Sequence, residues 1–152
     1  MTTHAGNVEF VQEVSLSVSP EAVWNALTKP EQVRAYHLAP LYRIELKVGG
    51  DILYGTDEKV LISGTIMECL ENSRLVHTFR FGPESGSGTC EDGDTVVRYE
   101  IREEGGATIL RVTHTGFKEE NPTYANIVGG WPFIFGQLKV FLESESCTES
   151  RR

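Results

Sequence analysis

The sequence predicts an α+β fold: a curved antiparallel sheet of about seven strands wrapped round one long C-terminal helix, with two short helices after the first strand. Three observations carry this. Only one segment, Asn121 to Ser146, is long and apolar enough to be a main helix. Most of the remaining chain alternates apolar and polar residues between short turn signals, as strands with one wet face do. The elements run strand, two short helices, six-strand meander, helix, and an antiparallel sheet with one face to bury takes a long helix as its cover. A sheet bent round a helix does not close flush at both ends, which leaves room for a tapering cavity.

The first strand places Val8, Phe10, Val14, Leu16 and Val18 on one parity, with Glu9, Glu13, Ser15 and Ser17 on the other. Ser19-Pro20-Glu21 then supplies an N-cap, a proline at the first helical position and an early acid. This predicts a short helix from Pro20 to about Leu27 that buries Val23, Trp24 and Leu27. Lys29-Pro30-Glu31 starts a second one to about Tyr36, since proline disfavours helix in the residue before it.

From Leu41 the alternation is that of a strand through Val48, and Gly49-Gly50 supplies the positive φ angles of a tight hairpin. Asp51 to Thr56 returns, Asp57-Glu58 turns, and Lys59 to Cys69 makes the next strand. After the turn at Glu71-Asn72-Ser73, the run Arg74 to Phe81 puts Leu75, His77, Phe79 and Phe81 on one parity. Gly82 to Asp94 holds four glycines, several acids and no large apolar residue, which predicts a mobile hairpin loop. Thr95 to Arg102 places Val97, Tyr99 and Ile101 on one face; Ala107 to Thr115 does the same with Leu110, Val112 and His114. Arg80, Arg98 and Arg111 read as solvated strand-face charges, paired with Glu68 or Glu100 across strands.

In the main helix Val128, Trp131, Phe135, Leu138 and Leu142 recur at steps of three and four, and Ile127, Ile134 and Phe141 widen the stripe. Pro132 interrupts it. Either the helix begins near Trp131 with Pro132 in its first turn, or it begins near Tyr124 and kinks at Pro132. The apolar spacing between Tyr124 and Val128 favours the kink.

At 152 residues the chain fits one domain with a sizeable core. Residues 8–146 form that domain, with 1–7 and 147–152 as disordered tails. Cys69, Cys90 and Cys147 are odd in number and in no CxxC pair, which predicts free thiols in a reducing compartment. The net charge of -8 and pI near 5.0 disfavour nucleic acid and anionic membrane surfaces, both of which select basic patches. No run approaches the roughly 20 apolar residues of a membrane span, and MTTHAGNVEF has no signal-peptide pattern. These readings predict a cytoplasmic protein.

No phosphate loop, HExxH or nucleophile elbow is present, so no residue is assigned as catalytic and no cofactor is expected. The separated histidines His37, His77 and His114 are not a metal signature. His77 and His114 lie on the more apolar parity of their strands. A neutral imidazole there can orient a ligand or act as a base, or simply be a satisfied core histidine. The candidate ligand-binding set is Trp24, His37, Tyr54, His77, Phe79, Tyr99, His114, Trp131 and Phe135, an apolar wall with few polar groups. Any of its aromatics serves equally as core.

Several stretches together resemble one superfamily: Ser19 to Thr28, Val48-Gly49-Gly50-Asp51, Gly64-Thr65-Ile66 through Arg74-Leu75-Val76, Thr113 to Phe117, and Gly129-Gly130-Trp131. Their order and spacing, over roughly residues 8 to 145, are similar to those of the START-like (SRPBCC) superfamily with its helix-grip fold. Within it the chain most resembles the family related to the activator of the heat-shock-protein ATPase. Two departures stand out: Ala35 to Pro40 lies where relatives often carry a tryptophan, so His37 alters that wall, and Pro132 follows Trp131 directly. The resemblance implies a cavity more firmly than a reaction. The leading expectation is a domain that binds a small apolar molecule between sheet and helix, as a monomer or homodimer. The alternatives are a cyclase- or hydrolase-like enzyme using His77 or His114 as base near Tyr54 or Tyr99, and a chaperone-regulating partner domain.

Overall fold

The computed structural model describes residues 8–37, 39–56, 58–82, 94–117 and 122–150, with side chains as far as residue 144. The elements, in chain order, are β1 (Val8–Leu16), α1 (Pro20–Thr28), α2 (Pro30–Val33), β2 (Leu41–Ile44), β3 (Asp51–Gly55), β4 (Val60–Leu70), β5 (Arg74–Phe81), β6 (Thr95–Glu104), β7 (Ala107–Phe117) and α3 (Pro122–Ser150). The strands form one antiparallel sheet in the order β1-β7-β6-β5-β4-β3-β2. Strands β2 to β7 are a meander, and β1 closes the far edge by pairing with β7, Val14 opposite Leu110. The α+β architecture expected from the alternation is therefore the one found. The tail 1–7 and most of the expected loop, 83–93, lie outside the described residues.

Local chemistry accounts for the helix starts. The Ser19 hydroxyl accepts from the Ala22 N–H at 3.1 Å, capping α1, and Pro20 occupies its first turn. Lys29 is extended, at φ -100 and ψ 121, because Pro30 follows it, and this break separates α1 from α2. Helix α1 buries Val23, Trp24, Ala26 and Leu27. Tyr36 fastens the segment after α2 to α1, its hydroxyl donating to the Ala26 carbonyl at 2.8 Å.

Helix α3 starts at Pro122, before Trp131, and passes through Pro132. Pro132 and Val128, whose carbonyl loses a donor there, are both exposed, so water can satisfy that carbonyl. The buried stripe is Ile127, Trp131, Ile134, Phe135, Leu138 and Leu142. Val128, expected within it, is exposed, because the helix turns about 100° per residue and Ile127 takes the inward position. The helix runs on to Ser150, past the expected end at Ser146.

The β2–β3 connection also departs from expectation. β2 ends at Ile44, and Leu46 and Val48 are exposed. Instead of a tight hairpin, residues 45–50 form a wider turn in which the Gly50 N–H bonds the Lys47 carbonyl and the Gly49 N–H reaches the Ile66 carbonyl on β4. Gly49 has φ +88, and a Cβ on Gly50 would lie 2.1 Å from the Glu45 carbonyl oxygen, so both positions demand glycine. On the wet face Glu68 and Glu100 are both met by Arg74, at 3.2 and 3.8 Å, while Arg80 meets Asp94 at 2.7 Å. Such exposed pairs contribute under about 1 kcal/mol each.

Candidate functional site: a pocket between the sheet and the last helix

Where the beginning of β4 and the end of β5 face the first half of α3, the layers part. The pocket between them has a volume of about 210 Å³ and is open to the surface. Its sheet wall is Leu61 and Ile62 of β4 with Phe79 and Phe81 of β5; its helix wall includes Ile127, Trp131 and Ile134. His37 and Ala39 close one side, and Asn126 and Gly130 complete the lining. At Gly130 the helix wall has no side chain, and that contributes to the gap.

Of the nine residues expected to bind a ligand, His37, Phe79 and Trp131 line this pocket. Four others pack in the layer behind it. Tyr54 stacks on His37, with ring centroids 4.8 Å apart, and Tyr99 meets Trp131 edge-on at 5.9 Å. His77 lies 6.1 Å from Tyr99, and His114 lies 4.7 Å from Phe79. Phe135 continues along α3, 5.9 Å from Trp131, and Trp24 is buried on α1 without lining the pocket. The wall residues that sequence reasoning missed, such as Leu61, Ile62 and Ile134, are aliphatic, and nothing in their pattern distinguishes a pocket wall from a core.

Two polar systems run through this layer. In the first, the Trp131 indole Nε1–H donates to His114 Nδ1 at 3.1 Å. A neutral imidazole that accepts at Nδ1 carries its proton on Nε2, which donates to the Thr95 hydroxyl at 2.7 Å. Thr95 in turn donates to the Phe79 carbonyl at 3.0 Å. Every member has a partner, and His114, with no exposed surface, is held far from protonation: burial lowers its pKa to about 3, with His77 nearby adding to the effect. With both nitrogens engaged, His114 is poorly placed to act as a base. Thr95→Val is expected to cost about 1–3 kcal/mol in urea unfolding, since it leaves a buried N–H unpaired, while Thr95→Ser stays near wild type. Equal stability of the two variants would mean that the chain does not hold His114.

The second system is formed by the buried Tyr54 and Tyr99 phenols, which interact with each other and which burial pushes above their usual range. His37 stacks on Tyr54 and accepts the Ala39 N–H at Nδ1, at 3.0 Å. Burial, then His77, lowers its pKa to about 4. His77 Nδ1 sits 2.6 Å from the Thr78 carbonyl oxygen, and burial lowers the His77 pKa to about 4 against that hydrogen bond. At neutral pH the pocket and its backing layer are thus uncharged.

The family model described as Activator of Hsp90 ATPase homolog 1-like protein matches residues 17–143. The chain belongs to that family. Solved structures with a similar fold include protein MLL2253 from Mesorhizobium loti, 23% identical with a TM-score of 0.75 over 90% of this chain and 98% of that one. CalU16 from Micromonospora echinospora is 20% identical, with a TM-score of 0.71 over 95% and 82%. The solution structure of the Aha1 dimer from Colwellia psychrerythraea is 18% identical, with a TM-score of 0.70 over 90% and 96%. These likenesses show the fold. Among curated proteins none matches. Among the described residues no helix is long and apolar enough to cross a membrane, and no three metal-ligating side chains converge.

Proposed function

We propose that this protein binds a small, uncharged, mostly apolar molecule in the pocket between β4, β5 and the first half of α3. The observation that carries this reading is the pocket itself: an apolar gap of about 210 Å³ in an otherwise closely packed layer. The pocket opens to the surface and is walled mostly by apolar side chains, so an apolar molecule entering it would release water from that wall. The neutral imidazoles and phenols behind it offer no charge to an ionic ligand, and an ion brought there loses its water without compensation.

The test is a thermal-shift and native mass spectrometry panel of uncharged aromatic, alicyclic and alkyl compounds on the full chain. Binders are expected to raise Tm, and Ile134→Trp, which fills the pocket, is expected to abolish the rise. A panel without a single stabilising compound would refute the reading.

A second reading has its own observation. Phe133 and Val140, seven residues apart and so on one face of α3, are exposed at 53% and 67%, apolar side chains suited to a protein partner. A relative of this fold is described as a dimer. Light scattering after size exclusion tests self-association: a dimer that Phe133→Asp converts to monomer would support it, and a concentration-independent monomer would oppose it.

A further inference from the structure

The pocket lining carries three side chains with polar groups, His37, Asn126 and Trp131, and the rest of it is apolar. The Trp131 indole N–H is already given to His114. Asn126 is exposed on α3 and donates from Nδ2 to the Pro122 carbonyl at 2.9 Å, so water still reaches its amide at the mouth when the pocket is filled. His37 differs from both. It is partly buried, and Tyr54 stacks on its ring with centroids 4.8 Å apart.

The chemistry His37 offers is determined by its engaged nitrogen. A backbone N–H only donates, so the 3.0 Å contact from the Ala39 N–H makes Nδ1 an acceptor. An imidazolium has no acceptor, so the ring is neutral and carries its proton on Nε2. Among the described residues nothing accepts from that N–H. Nor is it sealed off. The buried side-chain polar atoms without a partner are Gln12 Oε1, Asn72 Oδ1 and His77 Nε2, and His37 Nε2 is not one of them. A ring that borders the pocket thus keeps a reachable donor unspent. A hydrocarbon in the pocket would strip that N–H of water and leave it unpaired, while a carboxylate would find no cation in the lining.

Size narrows the class further. A dry apolar cavity of about 150 Å³ holds one benzene ring, so the 210 Å³ here accept a single six-membered ring with a short substituent. We infer that the pocket takes a small neutral carbonyl compound, an aryl or alicyclic ketone or aldehyde, its ring against Phe79 and Trp131 and its oxygen accepting from His37 Nε2–H. This deepens, and rests on, the ligand-binding reading above. His37 is then the residue that makes the pocket select an acceptor over an apolar molecule of the same shape.

The test uses acetophenone and α-methylstyrene, which share a shape, the carbonyl oxygen of one being a methylene in the other. Each is titrated by calorimetry into the full chain and into its His37→Phe and His37→Gln variants. Phenylalanine keeps a ring on Tyr54 and removes the donor, whereas glutamine keeps a donor. The readout is the ratio of the two dissociation constants, because the cost of drying the carbonyl is common to all three proteins and cancels. The ratio is expected to move about tenfold toward the hydrocarbon in His37→Phe, the worth of one buried hydrogen bond, and less in His37→Gln. In the wild-type chain 15N NMR is expected to show the His37 proton on Nε2, and the 13C carbonyl resonance of bound acetophenone is expected to lie downfield of its position in a hydrocarbon solvent. If both compounds bind with one ratio in all three proteins and the carbonyl resonance stays at its hydrocarbon position, the role of His37 is overturned while the ligand-binding reading stands. A proton found on Nδ1 overturns that role in the same way. If neither compound binds, both are overturned. The NMR measurements need no variant, so they decide the matter even where a substitution at His37 prevents folding.

Discussion

Acidification from pH 7 to pH 5 is expected to remove about 4 kcal/mol of folding stability, well above the pH at which carboxylates protonate. The cause is His77 and His114, 2% and 0% exposed, whose pKa values are lowered to about 4 and about 3 in the folded protein. In the unfolded chain each titrates at its ordinary value near 6.5. Between pH 6.5 and about 4 the unfolded state therefore binds protons that the folded state refuses, and stability falls as pH falls. Each histidine contributes about 2 kcal/mol of the loss by pH 5. His37 adds in the same direction but least, being only partly buried at the pocket wall. Glu143, held below its usual carboxylate range chiefly by hydrogen bonding to Lys139, contributes only at lower pH. Urea unfolding at half-unit pH steps measures this directly. His77→Phe is expected to reduce the slope by about half, and a flat profile from pH 7 to 5 would show that these rings take up protons without unfolding.

The architecture was legible because it rests on periodicity, and periodicity is local. The period-2 runs of β1, β5, β6 and β7 and the stripe of α3 each report burial on one face, and the Ser19-Pro20 cap reports where α1 begins. Register was less visible. Gln12 falls on the same parity as Phe10 and Val14 and opposes buried Val112, although a polar residue there breaks the pattern. Leu46 and Val48 keep the alternation of a strand, yet the turn chemistry of Gly49 and Gly50 carries them into solvent. The site was half legible for the same reason. His77 and His114 stand out as polar residues on apolar faces, but their different states, one satisfied at both nitrogens and one at a single nitrogen, depend on partners 17 or more residues away or on one backbone carbonyl. The pocket is a mismatch between layers, and no single segment encodes a mismatch.

Gly64→Ala is expected to destabilise the protein by about 3 kcal/mol or more, the cost of overpacking at a point that cannot yield. A Cβ at Gly64 would lie 1.9 Å from the Thr78 carbonyl oxygen, 2.8 Å from its carbon and 3.3 Å from His77 Nδ1. The paired residues of β4 and β5 pass from Ser63–Arg80 to Ile66–His77, and in the gap the Thr65 N–H turns to the Thr78 hydroxyl at 2.8 Å. This local departure brings the Thr78 carbonyl against Gly64, where His77 can donate to it. Gly64 is thus the seat of the His77 ring, and the missing side chain sets the tautomer that leaves Nε2 bare. Gly129→Ala supplies the contrast. Nothing lies within 4 Å of a Cβ there, the residue is exposed on α3, and alanine's better helix propensity is expected to stabilise by roughly 0.5–1 kcal/mol. Urea unfolding of both variants should therefore give shifts of opposite sign. If Gly64→Ala folds at all, the 15N spectrum of His77 should change, because a displaced Thr78 carbonyl no longer holds the proton on Nδ1. Wild-type stability with an unchanged His77 spectrum would mean that Gly64 does not position the ring.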